Sequence, residues 1–247
     1  MSYIHTYNPL LDEVLHHLHR DPHRRSSSLS DFILGAQDGL VNVLGVILGI
    51  AAATSDARLV LVAGLATTFA ESISMGAVAF TTTLADADHY QSEMEREYRH
   101  IREIPNLERQ EIRDIYQNKG FAADLLERIV DTVTANKDVW VAVMMAEEHQ
   151  LAPVDRKQAL RAAWIVGLSA VIGSLVPLAP FMFLSVATSM WASVLVTALV
   201  LFAIGAYKAR VTIGKPMRSG FEMAAIGTVS ALAGYLVGIL LKVPPVP

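Results

Sequence analysis

Two acidic residues lie within long apolar stretches of this 247-residue chain. Asp38 lies within the apolar run 32–54, and Glu71 lies in the middle of the next run, 58–84. A charged side chain in a membrane-spanning segment is costly, so it is first treated as a candidate functional residue. Asn42 and Met75 follow the two acids by four positions, which places each pair on one face of a helix. Carboxylates that bind a proton and a cation in turn are what proton-coupled metal transport needs.

A structural role is the alternative for these intramembrane residues. Asp38, Asn42 and Glu71, with nearby hydroxyl side chains, could form a buried hydrogen-bonded network that only holds two helices together. However, no Lys or Arg occurs at the same depth in the two apolar runs to neutralise the acids. The pattern therefore favours the binding of protons or of a cation over a purely structural network.

A second set of candidate ligands lies between the apolar runs, in pairs spaced three or four residues apart. This spacing places each pair on one face of a helix. The candidate ligands are Glu97, His100, Glu108, Glu111, Met144 and Glu148. Several carboxylates with one imidazole and one thioether suit divalent iron or manganese, whereas oxygen ligands alone suit magnesium or calcium better.

These residues also have an explanation that involves no metal. Glu108 and Glu111 fall near the predicted start of a helix, where the helix dipole favours acids. Glu97 has arginines nearby for ion pairing, and Met144 has the character of a core residue. Spacing alone leaves a metal site and a solvated helical surface equally open.

Composition excludes several classes of protein. Hydrophobic residues make up 53% of the chain and charged residues 18%, which is too apolar for an ordinary soluble domain. Residues 86–157 hold 16 Asp and Glu against 10 Lys and Arg, and this acidic balance argues against a nucleic-acid partner. The chain contains no cysteine, so it has no disulfide and no thiolate metal site. The first 30 residues are polar and His-rich, so we expect no cleavable signal peptide.

The pattern predicts an all-α, polytopic membrane protein with five spans. The predicted spans are 32–54, 58–84, 159–184, 186–207 and 221–241. The expected domains are an amphipathic N-terminal segment on the cytoplasmic membrane surface (1–30), spans one and two (31–85), a helical cytoplasmic metal-binding domain (86–157), and spans three to five (158–247). Pro177 and Pro180 are expected to kink or end the third span.

The metal-binding domain is predicted to be helical throughout. The second span is expected to continue beyond the membrane to residue 104 and to stop before Pro105. Three further helices are predicted at 107–119, 122–135 and 138–151. Asn106 is the expected N-cap of the first of these helices, and Gly120 is its expected stop.

Positive charge predicts the orientation in the membrane. Basic residues precede the first span and separate the fourth span from the fifth, which indicates that both regions are cytoplasmic. They are Arg20, Arg24, Arg25, Lys208, Arg210, Lys215 and Arg218. We therefore predict a cytoplasmic N-terminus and an external C-terminus, in what we expect to be a bacterial inner membrane.

The combination of these segments resembles the vacuolar iron transporter family from about residue 30 onward. The matching pieces are Asp38-Gly39-Leu40-Val41, Ser74-Met75, Trp140-Val141, Met144-Met145, Glu148 and Gly173-Ser174-Leu175-Val176-Pro177-Leu178. The resemblance implies five spans, a homodimer with an ion path near the first span, and proton-driven export of ferrous iron from the cytosol. It also implies a cytoplasmic metal site.

The resemblance assigns positions to that metal site. The family has two Glu-x-x-Glu pairs, a Met and a Glu, which match Glu97, His100, Glu108, Glu111, Met144 and Glu148. His100 thus stands where the family has a Glu. Ala79 occupies a position where plant members carry an acid. Glu71, one turn before Met75, is expected to supply that missing carboxylate.

The predicted function is a divalent metal/proton antiporter that exports ferrous iron or manganese and has no enzyme activity. Asp38, Glu71 and Met75 would form its site in the membrane. No tightly bound cofactor is expected; the partners are metal ions, protons, the bilayer and a second copy of the chain. One alternative is a membrane-bound di-iron ferroxidase, because Glu97-x-x-His100 is part of the di-iron signature, although those sites need two copies. Another alternative is a metal-sensing membrane protein, and metal flux would distinguish the three.

Overall fold

The computed structural model of the protein describes residues 27–212 and 214–242. Within these ranges the chain forms eight α-helices and one 3-10 helix, and no strand. The α-helices are α1 (Ser27–Thr54), α2 (Ala57–Glu103), α3 (Pro105–Asn118), α4 (Ala123–Thr134), α5 (Lys137–Glu147), α6 (Lys157–Leu178), α7 (Val186–Val211) and α8 (Pro216–Leu240), with the 3-10 helix at Ala179–Met182. The amphipathic segment predicted for 1–30 lies, up to residue 26, outside the described residues.

Five of these helices are long and apolar enough to cross a membrane: α1, α2, α6 with the 3-10 helix, α7 and α8. The predicted all-α fold with five spans is therefore confirmed. Their outward faces carry large apolar side chains that would contact lipid, such as Ile73 at 73% and Trp191 at 80% exposure. Exposure of this kind is expected where the solvent is hydrocarbon.

Helix α2 is much longer than a bilayer requires. It has 47 residues, and Asp56 caps its N-terminus with a side chain that accepts hydrogen bonds from the N–H groups of Arg58 and Leu59. At 1.5 Å per residue this helix is about 70 Å long, whereas the hydrocarbon core measures about 30 Å. The helix is therefore long enough for its C-terminal half to project from the membrane, and that placement stays a prediction.

Close packing around α1 fixes the arrangement of the spans. Gly35 and Gly39 lie directly against the backbone of α6, and Gly45 and Gly49 lie against α8 near Gly234. A side chain at these positions would separate the helices, so the small residues permit close approach of two neighbours on two faces of α1. Small-residue spacing on the first span thus serves packing within the chain.

The end of the third span contains the expected interruption. Pro177 lies inside α6, which ends one residue later and continues as the 3-10 helix. The hydroxyl of Ser193 on α7 donates a hydrogen bond to the Pro177 carbonyl at 2.6 Å. A proline ends or kinks a helix because it lacks an N–H and its ring clashes with the preceding turn. The prediction for this region is confirmed.

The segment between the second and third spans folds back on the projecting half of α2. Helices α3, α4 and α5 pack there around one apolar cluster. Its buried members are Ile101, Ile112, Leu126, Val130, Val133, Trp140, Val141, Met144 and Met145. We call α3 to α5 together with the projecting half of α2 the insert.

Two predicted helix ends in the insert are wrong. Asn106 is not an N-cap, because α3 begins at Pro105, and Ile104 occupies the cap position without a side-chain hydrogen bond. Proline fits the first helical position, where its missing N–H would be unpaired anyway. Helix α5 ends at Glu147 rather than at 151, since Gln150 adopts φ of 55° and the N–H of Leu151 bonds to the carbonyl of Met145.

Candidate metal sites

Three helix ends bring the acidic residues of the insert together. Helix α2 ends where the N–H of Ile104 bonds to the carbonyl of His100 at 2.8 Å, and Pro105 then starts α3. This sharp reversal returns Glu108, in the first turn of α3, toward the last turns of α2. Glu148 follows directly after α5, which packs on the same part of α2.

The side chains meet around Glu97. Its Oε1 lies 3.0 Å from Nε2 of His149 and 3.9 Å from Nδ1 of His100. Nδ1 of His100 lies 3.2 Å from Oε1 of Glu108. Two groups of three residues offer ligand atoms within 4.8 Å of one another: Glu97, His100 and Glu108, and Glu97, Glu148 and His149. We call these five residues with the neighbouring Glu111 the insert cluster.

Two carboxylates of the insert cluster are buried and incompletely paired. Glu97 and Glu108 are each 2% exposed, and Oε2 of each has no hydrogen-bond partner within the described residues. A buried carboxylate oxygen without a donor is strongly unfavourable, because the protein does not replace the water that it loses. A bound cation would supply the missing partner, so these oxygens fit a metal site.

The electrostatics of the insert cluster favour protonation when no cation is bound. Burial, followed by the charges of Glu111 and Glu97, raises the pKa of Glu108 to about 8. Burial and the charge of Glu111 also raise the pKa of Glu148, although His149 opposes this shift. Because ligands bind metal in their deprotonated form, an arriving divalent ion would displace protons from this cluster.

The structure brings some of the predicted ligands together and leaves others apart. Glu97, His100 and Glu108 form one group, and Glu148 lies beside Glu97. Glu111 belongs to neither group of three, but it is close enough to affect the pKa of Glu108 and of Glu148. It is half-buried on the first turns of α3. Its role as a ligand stays a prediction.

Met144 is the predicted ligand that the structure places deepest in the apolar core. Its side chain is fully buried in the apolar cluster of the insert. Its carbonyl accepts hydrogen bonds from the N–H groups of Glu148 and His149, at 3.0 and 3.2 Å. Met144 therefore positions the end of α5 through its backbone, and coordination by its thioether stays a prediction.

His149 is the residue that sequence reasoning missed. A helix that continued to 151 would have turned neighbouring side chains about 100° apart, so His149 would have pointed away from Glu148. Because α5 ends at Glu147, both side chains reach Glu97. The sequence did contain one signal for His149: it directly follows the candidate ligand Glu148, near the end of a predicted helix.

A second site lies within the spans, between α1 and α2. Nδ2 of Asn42 donates a hydrogen bond to Oδ1 of Asp38 at 3.0 Å and another to Oε1 of Glu71. Oε2 of Glu71 is buried without a hydrogen-bond partner within the described residues. No Lys or Arg in the described part of the chain forms an ion pair with either acid. We call Asp38, Asn42 and Glu71 the membrane cluster.

Met75 and Ala79 follow Glu71 on α2 at intervals of four residues. All three residues are half-buried, and each lies closer to the insert than the one before it. Side chains at this spacing lie on one face of a helix. Met75 is therefore placed between Glu71 and the insert along α2. Its role as a ligand stays a prediction.

Five apolar spans with acidic residues between two of them, and an acidic helical insert, define a multi-pass integral membrane protein with candidate cation sites. The family model described as the VIT family matches residues 29–239. The chain belongs to this family.

Its relatives are similar over most of their length. The vacuolar iron transporter 1 of Oryza sativa subsp. japonica is 38% identical over 222 residues, which cover 89% of this chain and 88% of the relative. The vacuolar iron transporter 1 of Arabidopsis thaliana is 34% identical over 206 residues, covering 83% and 82%. The vacuolar iron transporter of Plasmodium falciparum is 28% identical over 225 residues, covering 87% and 82%. Membership of this family of transporters excludes the ferroxidase alternative.

Proposed function

We propose that this protein exports ferrous iron from the cytoplasm in exchange for protons. Metal transport is the function that the names of its relatives support. The insert cluster would capture the ion, and the membrane cluster with Met75 would pass it through the bilayer. Each carboxylate would release the metal as it takes up a proton.

One observation carries this proposal: a single continuous helix, α2, bears residues of both clusters. Glu71 lies in its membrane half and Glu97 in its projecting half. Each of these two residues has a buried Oε2 without a hydrogen-bond partner in the described residues. A purely structural network would pair such oxygens, because an unpaired buried acceptor is costly.

Iron is the leading substrate, and manganese is the second. The relatives are named as iron transporters, and the mixture of carboxylates with imidazole in the insert cluster suits Fe²⁺. Carboxylate-rich sites also accept Mn²⁺, so we include manganese as a further substrate. Neither ion needs a separate tightly bound cofactor for transport.

The direction of transport follows from the proposed orientation. The chain alternates across the membrane, so the ends of α7 and α8 that carry Lys208 and Arg218 face the same side as the insert. The positive-inside rule places that side in the cytoplasm. The proposal thus has the insert collecting metal from the cytoplasm. The vacuolar names belong to the relatives, and a bacterial inner membrane for this chain stays a prediction from the sequence.

We further propose that the protein functions as a homodimer through α1. Asn42 is exposed on the membrane-facing surface of the single chain, beside a groove of about 610 Å³ between α1 and α8. A polar side chain facing hydrocarbon is unfavourable, and a second copy of the chain would cover it. The ion path would then run close to the interface between the two protomers.

Metal flux in proteoliposomes tests the function. The purified chain should carry Fe²⁺ under reducing conditions, faster with an opposing proton gradient than without one, and should move protons in the other direction. Asp38→Ala serves as the inactive variant, and Glu222→Gln as a control at an exposed acid on α8. Binding of metal without flux would instead support the sensor alternative.

A further inference from the structure

We infer that His149, with Glu97 and Glu148, forms a second cation subsite beside the one formed by Glu97, His100 and Glu108. Each subsite would hold one ion with one imidazole nitrogen, and Glu97 would bridge the two. This arrangement would favour Zn²⁺, Co²⁺ and Fe²⁺ over Mn²⁺ and Mg²⁺. The inference rests on the proposed function, because it concerns the cluster that would capture the transported ion.

The geometry of the second subsite already approaches that of a bound ion. Nε2 of His149 lies 3.0 Å from Oε1 of Glu97, and the ligand atoms of Glu97, Glu148 and His149 lie within 4.8 Å of one another. Ligand atoms at about 2.1 Å from a tetrahedral ion lie roughly 3.4 Å apart. Small rotations of side chains would therefore bring all three atoms to an ion without a change in the backbone.

The unpaired oxygens are a second observation that favours a cation here. Oε2 of Glu97 and Oε2 of Glu108 are buried without partners in the described residues, while Oε1 of Glu97 lies 3.0 Å from His149 and 3.9 Å from His100. A carboxylate that lies between two imidazoles and keeps one oxygen free is suited to bridge two ions. Ions held this way lie about 3.5–4 Å apart in two-metal sites.

Two neighbouring basic side chains, Lys119 and Arg96, pair with acids outside this subsite. Lys119 pairs with Glu147 at 2.5 Å, so the acid adjacent to Glu148 is the one that has a lysine partner. Arg96 pairs at 2.8 Å with Glu93, which lies one turn of α2 before Glu97. Lys119 and Arg96 are thus engaged with acids outside the second subsite.

The type of ligand determines the expected preference. Imidazole is a ligand of intermediate softness that suits zinc, iron and related metals, whereas carboxylate alone suits manganese and magnesium. His100 and His149 place one such nitrogen at each side of Glu97. His149 is therefore the residue expected to set the metal preference of the second subsite.

Equilibrium binding to the full chain in lipid nanodiscs tests the inference, with Zn²⁺, Co²⁺ and Mn²⁺ as probes. His149→Gln is the main variant, because the glutamine amide keeps a hydrogen-bond donor near the position of Nε2 while removing the imidazole. His89→Gln is the matched control, at an exposed histidine of α2 whose Nδ1 lies 4.0 Å from Oε1 of Glu93. The wild type and both variants share every other histidine, so binding at those histidines does not affect the comparison.

The expected result is selective. His149→Gln should remove one Zn²⁺ from the binding stoichiometry or weaken Zn²⁺ and Co²⁺ at one site by about tenfold or more, since loss of even an indirect partner of a metal ligand costs this much. Mn²⁺ affinity should change by no more than about threefold, because oxygen ligands remain. The visible absorption of bound Co²⁺ should lose intensity, and His89→Gln should behave as the wild type. Glu148→Gln, at an exposed position, should reproduce the loss of Zn²⁺ if His149→Gln proves unstable.

Two outcomes would overturn the inference. Unchanged Zn²⁺ and Co²⁺ binding in His149→Gln and in Glu148→Gln would show that His149 is not a ligand. An equal loss for all three metals would show that His149 only positions Glu97 by hydrogen bonding. The proposed function fails separately: wild-type protein that shows the predicted binding pattern but carries no metal across proteoliposomes would disprove transport and leave the second subsite standing.

Discussion

Glu71 and Glu97 lie on one uninterrupted α-helix, 26 residues apart. At 1.5 Å per residue they are separated by about 39 Å along the helix axis. One belongs to the membrane cluster and the other to the insert cluster. A change in the tilt of α2 when metal binds around Glu97 would therefore reach Glu71 directly, without an intervening loop.

The first prediction concerns Asp38, which shares the amide of Asn42 with Glu71. Asp38→Ala should abolish metal flux while the protein remains folded. Asp38→Asn keeps the shape and one oxygen ligand but cannot bind and release a proton. It should therefore lose the dependence of flux on a pH gradient, as measured with a metal-sensitive dye and a pH-sensitive dye in the same proteoliposomes.

The control for Asp38 is Glu222→Gln, which removes an exposed acid that pairs with Arg218 on α8. It should transport like the wild type. If Asp38→Asn retained flux that still follows the pH gradient, Asp38 would not be the exchanging carboxylate.

The second prediction concerns the position of the acid on α2. Glu71→Gln should reduce transport and alter metal preference, because Gln preserves the hydrogen bond from Asn42 but not the charge. Adding Ala79→Glu restores a carboxylate two turns along the same face and should recover part of the flux. Normal transport by Glu71→Gln alone, with unchanged preference among Fe²⁺, Mn²⁺ and Co²⁺, would indicate a structural role for Glu71.

The third prediction is a pH dependence set by the insert cluster. The raised pKa of Glu108, to about 8, means that the folded protein favours its protonated form. The stability from this group is complete below the ordinary pKa of 4.5 and is lost as pH rises toward 8. The metal-free protein should thus melt at a lower temperature at pH 8 than at pH 5.5, and metal affinity should rise over the same range.

Thermal melting in detergent, with and without Co²⁺, measures both effects. Glu108→Gln should flatten the pH dependence of the metal-free melting temperature, because it mimics the protonated acid. Glu95→Gln, at an exposed position of α2 outside the cluster, should retain the wild-type slope. A slope unchanged in Glu108→Gln would assign the pH dependence to other groups.

The fold was largely predictable because the bilayer imposes simple rules on sequence. Twenty-residue apolar runs and a long helix that stops at Pro105 are visible in the sequence alone. The end of α5 was not predictable, because Gln150 adopts a left-handed conformation that its residue type does not demand. Tertiary packing of α5 on α2 decides where this helix stops.

The candidate sites were predictable only in part. Spacing placed Glu97 with His100, and Glu108 with Glu111, on shared faces, but it could not show which faces meet. The contact of Glu97 with His149 joins residues 52 positions apart, and the bridge from Asn42 to Glu71 joins residues 29 apart. Contacts of this range depend on how helices pack, and local periodicity does not contain that information.

The fourth prediction tests the close packing of α1 on α6. Gly173→Ala should destabilise the protein by about 1–3 kcal/mol, because the new methyl group would meet the backbone of Ala36 and force the helices apart. Gly45→Ala should cost less, since its nearest neighbour is the side-chain hydroxyl of Ser230. Both glycines lie inside helices, so replacement by alanine raises helix propensity equally at the two sites and does not affect the comparison. Melting temperatures that fall equally would contradict this account.

The last prediction concerns orientation in the membrane. The chain has no cysteine, so single cysteines can be labelled without background. Asn118 ends α3 at the exposed surface of the insert, and Phe183 lies in the link between α6 and α7, at the opposite end of the bundle, with 80% exposure. The positive-inside rule predicts that the insert is cytoplasmic. In intact cells, a membrane-impermeant maleimide should therefore label Phe183→Cys at once and Asn118→Cys only after the membrane is permeabilised. The reverse pattern would invert the orientation, and with it the proposed direction of transport, while leaving the two clusters and the second subsite unaffected.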